Sequence, residues 1–351
     1  MHSNRGPLVH PFDLNQMNKL SIVIVAMAMV AACAVAAAIA FGGPAQPPPL
    51  QSVHDPFKSV DFSGLPPVQR FSARDGAALA YRVYGQDNAG GKGSVILVHG
   101  SSARSDSIHP LAEGFAQAGY VAYALDMRGH GESGVKGQIT YIGQLEDDLE
   151  DFLKAARPSG KKSLIGFSAG GGFALRFAAG TRPRLFDNYL LLAPFLSQDA
   201  STYRPASGGW VAVGMPRILG LVALNRIGIS SFNDLPVIAF ALRPEAQKLL
   251  TPRYSFALAM SFRPHNDYRA DIAAAKSMGR PMEVLVGQND DQFYAECFAS
   301  EFGAMGRAVP VSIVPATSHI DLTLSPVAIR AAVEAVGRLN AGSAPPIDKS
   351  P

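Results

Sequence analysis

The chain has 351 residues, of which 48% are hydrophobic and 17% are charged, and its formal net charge is +3. This length and composition suit one large folded domain with appendages, or two small domains, and exclude a disordered chain. The small net charge and the absence of a basic run argue against a nucleic-acid partner.

Near the N-terminus an uncharged apolar run extends from Leu20 to Phe41, and Arg5 and Lys19 precede it. About 20 such residues cross a bilayer core as a helix, and positive charges ahead of them favour a cytoplasmic N-terminus. We therefore expect a leader at 1–19 and a transmembrane or signal segment at 20–41. The body is then expected outside the cytoplasm, in the periplasm if the organism is bacterial.

Other fates of this run stay open. Ala38-Ile39-Ala40 has the small-x-small form of a signal-peptide cleavage site, which would give a secreted protein. Val30-Ala31-Ala32-Cys33 resembles a bacterial lipobox, although apolar residues follow it, and a start at Met17 would make the leader signal-like. Cys297 is the only other cysteine, so we expect no internal disulfide and interpret it as structural.

Amino-acid composition distinguishes the remaining three segments of the chain. Residues 42–68 are rich in proline and predict a semi-rigid linker. Residues 69–340 are expected to form the main domain, and the small, polar tail at 341–351 is predicted to be disordered.

Strand and helix patterns alternate along the main domain. The turn dipeptide Asp75-Gly76 predicts a hairpin between Phe71–Ala73 and Leu79–Val83. Short apolar runs predict buried strands at Ser94–Val98, Val121–Leu125, Leu164–Phe167, Tyr189–Leu192, Met282–Val286 and Val309–Val314. Helical patterns lie between most of these runs, so the sequence predicts an α/β fold with a mostly parallel central sheet and helices on both faces.

One stretch, from Leu196 to His265, breaks the alternation because it contains helical but no clear strand signals. An unstructured loop of that length would be unusual, so we predict an inserted helical cap at about 196–265. Its apolar residues, such as Trp210 and Ile218, suggest a lipophilic substrate, but packing of the cap on the body explains them equally well.

Gly166-Phe167-Ser168-Ala169-Gly170 matches the pattern G-x-S-x-G. The motif follows a predicted strand and precedes a predicted helix, the context in which a sharp turn exposes a nucleophilic serine. We therefore predict that Ser168 is the nucleophile. The alternative is an ordinary glycine-rich helix start.

A serine hydroxyl needs a base, and the base needs an acid that orients it. His319 follows the last predicted strand and precedes the last helix, so we predict that it is the base. Asp290 follows the strand Met282–Val286 and is the predicted acid, with Asp291 as its close competitor and Asp199 as a more remote one.

Acyl transfer also needs donors for the oxyanion. The backbone N–H of Ala169 is expected to supply one. The loop after Ser94–Val98 should supply the second, and we assign the N–H of Ser101. His99 in the same loop is interpreted as shaping it.

These motifs resemble those of the α/β-hydrolase superfamily, and most closely its serine aminopeptidase, lysophospholipase and monoacylglycerol-lipase-like branch. The resemblance rests on Leu97–Gly100, Asp126–Ser133, Gly166–Gly170, Gly287–Asp290 and Ser318-His319, and it covers about residues 71–339. It implies the same roles for Ser168, Asp290, His319, Ala169 and Ser101.

Cofactor and metal sites are not expected. Gly129–Gly134 fits G-x-G-x-x-G, but a dinucleotide site requires that this motif open a helix, and Val135–Gly137 prolongs the loop instead. No paired cysteine or histidine spacing typical of zinc is present.

The expected function is hydrolysis of a small-molecule or lipid carboxylic ester through an acyl-enzyme. An aminopeptidase or amidase with the same triad is the first alternative. The second is a non-catalytic binding or receptor protein that reuses the fold.

Overall fold

The computed structural model describes residues 14–88, 91–303 and 309–342. Most of the leader and of the predicted disordered tail therefore lies outside the described residues. Eight strands form the central sheet, in the order β1-β2-β4-β3-β5-β6-β10-β11, and three form a small separate sheet, in the order β7-β8-β9. The strands are β1 Gln69–Ser72, β2 Ala78–Tyr84, β3 Ser94–Val98, β4 Val121–Leu125, β5 Lys162–Phe167, β6 Asn188–Leu192, β7 Val211–Val213, β8 Pro236–Phe240, β9 Arg253–Ser255, β10 Met282–Gly287 and β11 Val311–Val314.

Helices flank the central sheet and also form the N-terminal segment and part of the cap. They are α1 Leu14–Phe41, α2 Gln51–His54, α3 His109–Gln117, α4 Gln144–Ala156, α5 Ala169–Ala179, α6 Ala206–Gly209, α7 Met215–Arg226, α8 Phe256–Ser261, α9 Tyr268–Ser277, α10 Phe298–Gly303, α11 Asp321–Leu324 and α12 Pro326–Ala341. Short 3₁₀ turns occur at Asp55–Ser59, Gln86–Asn88, Ser105–Ile108, Ala246–Lys248 and Ala295–Cys297.

The central sheet is parallel except for β2, which pairs antiparallel with both of its neighbours. All residues of β3 and β6 are buried, as their continuous apolar runs predict. The predicted hairpin and the six further strands are present. Strand β11 begins two residues later than expected, after Pro310, which has no N–H to donate to a sheet.

The parallel register brings several loops to one edge of the sheet. Val98 at the end of β3 pairs with Gly166 in β5, and Gly287 at the end of β10 pairs with Val314 at the end of β11. The segments after β3, β5, β10 and β11 therefore emerge side by side. This is the edge at which open α/β sheets bind ligands.

The insertion predicted at about 196–265 is present, but it is not purely helical. It contains α6 and α7 together with the antiparallel sheet formed by β7, β8 and β9. Strands of three to five residues are too short to show a periodicity that separates them from helix, and this is why the sequence pattern missed them.

The Pro-rich stretch differs from the expected linker because it packs on the cap. The N–H of Leu50 donates to the carbonyl oxygen of Ala241 at 2.9 Å. Asp55 forms an ion pair with Arg243 at 2.6 Å. Val53 and Phe57 pack against the hydrophobic core. The chain is thereby held across the C-terminal edge of the central sheet.

Within α1, the span Ser21–Phe41 is long and apolar enough to cross a membrane, with a mean hydropathy of 2.8 and no residue buried. Its C-terminal end contacts α7 of the cap. The Arg217 side chain donates to the carbonyl oxygens of Ile39 at 2.7 Å and Ala40 at 3.0 Å. Gly220 lies so close to Ile39 that a Cβ there would be 2.8 Å from the isoleucine side chain.

Candidate active site

Ser168 occupies a strained turn between β5 and α5. Its φ of 55° and ψ of −118° are unusual for a residue with a side chain. A Cβ at Gly166 would lie 2.1 Å from the Gly170 carbonyl oxygen, and one at Gly170 would lie 2.4 Å from that of His99. Only glycines allow this turn to close. The Ser168 side chain does not cap α5, so the helix leaves its hydroxyl free.

His319 and Asp290 meet at the same edge. The Nδ1 atom of His319 lies 2.7 Å from Oδ2 of Asp290, and both side chains are almost fully buried. The other carboxylate oxygen accepts the N–H groups of Gln292 and Phe293, each at 2.8 Å. A carboxylate only accepts, so the His319 Nδ1–H donates and its Nε2 is left as an acceptor.

The loops that carry these two residues are joined by backbone contacts. The N–H of Asn289 donates to the carbonyl oxygen of Thr317 at 2.9 Å. Gly287 permits this approach, because a Cβ there would lie 2.3 Å from the same oxygen. The His319 ring also packs against Phe167, the residue before Ser168, with ring centroids 4.7 Å apart.

Among the described residues, the other candidates make no hydrogen bond to His319. Asp291 is partly exposed, and the hydrogen bond to the histidine is made by Asp290. Asp199 is exposed and lies on the cap side of the site. Cys297 is half-buried in a 3₁₀ turn, consistent with a structural role.

The loop after β3 approaches Ser168 closely. A Cβ at Gly100 would lie 3.3 Å from the Ser168 Cβ. In the described part of the chain the Ser101 N–H has no hydrogen-bond partner. Ala169 is the first residue of α5, and a helix's first N–H groups have no partner within the helix. Both predicted oxyanion donors therefore belong to segments that border Ser168.

The position of Ser101 is fixed from two sides. Trp210 of the cap donates its Nε1–H to the Ser101 Oγ at 2.9 Å. The next residue, Ser102, has a φ of 67° and donates its N–H to the hydroxyl of Tyr254 at 2.7 Å. Sequence reasoning missed Tyr254, because nothing in its local pattern indicates this contact.

Tyr254 also forms a hydrogen bond with His130. His130 and His99 are both buried, and their rings pack against each other. His130 Nδ1 lies 3.2 Å from the Arg128 carbonyl oxygen, so its Nε2 accepts from the Tyr254 hydroxyl at 2.6 Å. Burial lowers the pKa of His130 well below its ordinary value, and it also lowers the pKa of His99. These neutral rings support the loop.

The segment Gly129–Gly134 forms an irregular loop, and the next helix, α4, begins only at Gln144. It therefore lacks the helix start that a dinucleotide site requires. In residues 14–88, 91–303 and 309–342 no group of three or more His, Cys, Asp or Glu side chains is arranged to hold a metal ion.

Two cavities meet at Ser168. The first has a volume of about 280 Å³, and we call it the linker cavity because Val53, His54, Phe57 and Phe62 of the Pro-rich stretch line one wall. The second has a volume of about 270 Å³, and we call it the cap cavity. Apolar side chains of the cap line it, among them Val211, Val213, Met215, Ile218, Val222, Ile238 and Phe240.

Four residues line both cavities: Ser101, Ser168, Trp210 and Gln292. His319 borders only the linker cavity, and Ala169 borders only the cap cavity. Sequence reasoning missed Gln292 and His54, since a lone glutamine and a histidine in a proline-rich stretch match no catalytic motif.

The fold and these motifs match known proteins. Residues 90–250 match the family described as "Serine aminopeptidase, S33". A monoacylglycerol lipase of Mycolicibacterium smegmatis is 32% identical over 115 residues, which are 31% of this chain and 40% of that protein. The alignment thus spans about two fifths of the length of this curated relative.

Solved structures match over a larger part of the chain. The monoacylglycerol lipase of Paleococcus ferrophilus is 23% identical with a TM-score of 0.54, and the match covers 76% of this chain and 99% of that one. This chain has the α/β-hydrolase fold. A soluble variant of monoglyceride lipase from Saccharomyces cerevisiae, solved with a substrate analogue, is 17% identical with a TM-score of 0.57 and covers 82% of this chain and 99% of that one.

The fold class predicted from the sequence is thereby confirmed. The expected likeness to the serine aminopeptidase and monoacylglycerol-lipase-like branch is confirmed by the matched family and relative. The structural neighbours are less than 25% identical to this chain, so they support the fold and nothing more specific.

Proposed function

We propose that this α/β-hydrolase is a serine hydrolase that cleaves carboxylic esters, with Ser168 as nucleophile, His319 as base and Asp290 as the orienting acid. The observation that carries the proposal is the 2.7 Å hydrogen bond between His319 Nδ1 and Asp290 Oδ2, at the cavity that Ser168 also lines. It leaves Nε2 of His319 as the proton acceptor, which is the tautomer that general-base catalysis requires.

The reaction then has two steps. The Ser168 oxygen attacks the ester carbonyl carbon while its proton passes to His319 Nε2, and the carbonyl π electrons move to oxygen. The N–H groups of Ser101 and Ala169 stabilise this oxyanion. The intermediate collapses as His319 protonates the leaving alcohol. Water, deprotonated by His319, then releases the acid from the acyl-enzyme and restores the serine.

A lipophilic acyl group fits this chain best. The cap cavity is lined mainly by aliphatic and aromatic side chains, which favour an apolar acyl group along most of its wall. The relative from M. smegmatis is a monoacylglycerol lipase, which also supports a lipid ester. We therefore infer a lysophospholipase-like or monoacylglycerol-lipase-like substrate range.

A membrane location accompanies this activity in the proposal. No residue of the span Ser21–Phe41 is buried, and its apolar surface would be costly in water. With Arg5 and Lys19 ahead of it, an uncleaved anchor would place the catalytic domain outside the cytoplasm. The alternative remains a secreted protein after signal cleavage.

A fluorophosphonate probe, which reacts with activated serines, tests the nucleophile. We expect the wild-type protein to be labelled and Ser168→Ala to be unlabelled while circular dichroism confirms that both are folded. Ser318→Ala is the matched control, since it removes a hydroxyl beside His319, and it should be labelled. A folded wild-type protein that resists the probe would favour the non-catalytic binding protein.

The matched family is described as a serine aminopeptidase, so an amidase with the same triad is the second candidate. A panel of chromogenic esters and aminoacyl anilides separates the two. We expect a higher kcat/KM for the esters. Preferential cleavage of the anilides would overturn the ester assignment and retain the triad.

A further inference from the structure

The cap cavity has two kinds of wall. Most of its apolar lining comes from β7, α7 and β8 of the cap. Its polar lining comes largely from two other segments, Ser197–Asp199 after β6 and Arg263 with Asn266 after α8. The cavity therefore offers an apolar surface to one part of a ligand and polar groups to another.

The polar wall begins close to the nucleophile. A Cβ at Gly172 of α5 would lie 2.4 Å from the Phe195 carbonyl oxygen and 3.5 Å from the Arg263 Cα, so the two polar segments approach each other at this glycine. The N–H of Gly172 donates to the Ser168 carbonyl oxygen at 3.1 Å, which places Gly172 one helical turn beyond Ser168.

Arg263 carries a charge that the protein does not pair. Its side chain is partly buried, and its Nε is inaccessible and has no hydrogen-bond partner. Within the described residues its guanidinium forms no hydrogen bond and no ion pair. Arg176, by contrast, is paired with Glu146 at 2.5 Å. Burial lowers the pKa of Arg263, and the charge of Arg176 lowers it further, but a guanidinium stays protonated at neutral pH.

The nearest acidic side chains do not neutralise this charge. Asp199 lines the same cavity but is exposed to solvent, and Asp271 is already bound to His265 at 2.8 Å. A buried charge without a partner is costly. The planar guanidinium matches the two oxygens of a carboxylate or phosphate, which it binds through paired hydrogen bonds. An anionic group of a ligand in the cap cavity would supply the missing partner.

We infer that Arg263 binds a carboxylate or phosphate group of the ester substrate, so that the site prefers an ester carrying an anionic group over its neutral counterpart. This inference rests on the proposed ester hydrolysis. The apolar wall of the cap cavity would then hold the hydrocarbon part of the substrate, and Arg263 would hold its anionic group. Arg263 is thus a specificity-determining residue of the site.

The test compares two esters of equal chain length, monomethyl suberate and methyl octanoate, which differ only in a carboxylate that replaces the terminal methyl group. For the wild type we expect the higher kcat/KM with the suberate. Arg263→Met keeps the apolar stem of the side chain and should lower kcat/KM for the suberate about tenfold, while the octanoate stays within about twofold. Arg263→Lys keeps the charge but loses the planar fork, so it should retain a smaller preference.

A second pair of esters places the anionic group on the alcohol. Octanoyl lysophosphatidic acid and monooctanoylglycerol share the acyl chain and differ in a phosphate. A loss on Arg263→Met with the suberate alone assigns the anionic group to the acyl chain, and a loss with the lysophosphatidic acid alone assigns it to the alcohol. Arg226→Met, at an exposed site on α7, is the matched control and should change none of the four values.

Binding is measured separately from hydrolysis in Ser168→Ala. Calorimetry should show tighter binding of monomethyl suberate or of the lysophosphatidic acid than of its neutral counterpart, and this difference should disappear in Ser168→Ala/Arg263→Met. If Arg263→Met left both ratios of kcat/KM and both differences in binding unchanged, the inference would be overturned and the proposed hydrolase would stand. Asp199, rather than the substrate, would then neutralise Arg263. A folded wild type that cleaves none of the four esters would refute the proposed function, whereas the calorimetry would still decide the role of Arg263.

Discussion

The indole Nε1–H of Trp210 donates a 2.9 Å hydrogen bond to the hydroxyl oxygen of Ser101. Trp210 belongs to the cap, whereas Ser101 belongs to the loop after β3, so this bond joins two of the four residues that line both cavities. In the proposed mechanism the backbone N–H of Ser101 stabilises the oxyanion. The bond therefore couples the position of the cap to the position of a proposed catalytic donor.

The first prediction tests this coupling. Trp210→Phe removes the donor and Ser101→Ala removes the acceptor while keeping the backbone N–H. Each should lower kcat/KM for an ester about fivefold, the equivalent of about 1 kcal/mol for one hydrogen bond. The double variant should be no worse than the single ones, since the same bond is lost in all three. Fully additive losses in this double-mutant cycle would refute the coupling.

The second prediction separates the two neighbouring aspartates. Asp290→Asn replaces the acceptor of the His319 Nδ1–H by an amide that can donate, so the imidazole loses the required tautomer. We expect kcat to fall about ten-thousand-fold. Asp291→Asn should stay within about twofold, because its side chain is partly exposed and makes no bond to the histidine. Similar losses in the two variants would contradict the assignment of Asp290.

The sequence predicts best those features that depend on local chemistry. The glycines around Ser168 are required by backbone contacts of the turn itself, and the buried strands appear as apolar runs. The positions of Gln292, His54 and Tyr254 beside the two cavities depend instead on contacts between residues far apart in the chain. Tyr254, for example, reaches Ser102 across 152 positions. No periodicity or motif encodes such a contact, so only the folded arrangement reveals it.

The third prediction concerns the turn that carries Ser168. In Gly170→Ala the new methyl group would lie 2.4 Å from the His99 carbonyl oxygen and 2.6 Å from that of Val98. These backbone oxygens cannot move aside as the end of a flexible side chain can. We therefore expect the free energy of unfolding to fall by about 3 kcal/mol. Gly337→Ala is the matched control. It lies in α12 with no atom within 4 Å of the new Cβ, and it should raise stability by about 0.5–1 kcal/mol. Urea unfolding measures both values, and an equal effect would contradict the steric argument.

The fourth prediction concerns the contact between the N-terminal helix and the cap. Arg217 donates to the carbonyl oxygens of Ile39 and Ala40 at the end of α1 and to that of Pro236 in the cap. The carbonyls of Ile39 and Ala40 have no partner within α1, and they lie at the negative end of its dipole. Arg217→Ala should therefore lower the free energy of unfolding in detergent by about 2 kcal/mol.

Arg226→Ala is the control for this experiment, since Arg226 is exposed at the other end of α7. It should change the unfolding free energy by less than about 0.5 kcal/mol. If the two arginine variants were equally stable, the bonds to α1 would contribute nothing to holding the helix on the cap.

The last prediction is a pH dependence of stability that arises from the buried histidines. In the folded chain, burial holds the pKa of His130 well below 6.5, whereas in the unfolded chain it returns to about that value. Below pH 6.5 the unfolded chain therefore binds a proton that the folded chain does not, and stability falls as the pH falls. The slope approaches about 1.4 kcal/mol per pH unit for each such histidine. His130→Asn keeps a hydrogen-bond donor and acceptor but does not titrate. Urea unfolding between pH 7 and pH 5 should therefore show an unfolding free energy that depends less steeply on pH, with the contribution of His99 remaining. An unchanged slope would mean that His130 is protonated in the folded chain, and its bond from the Tyr254 hydroxyl would then be wrongly assigned.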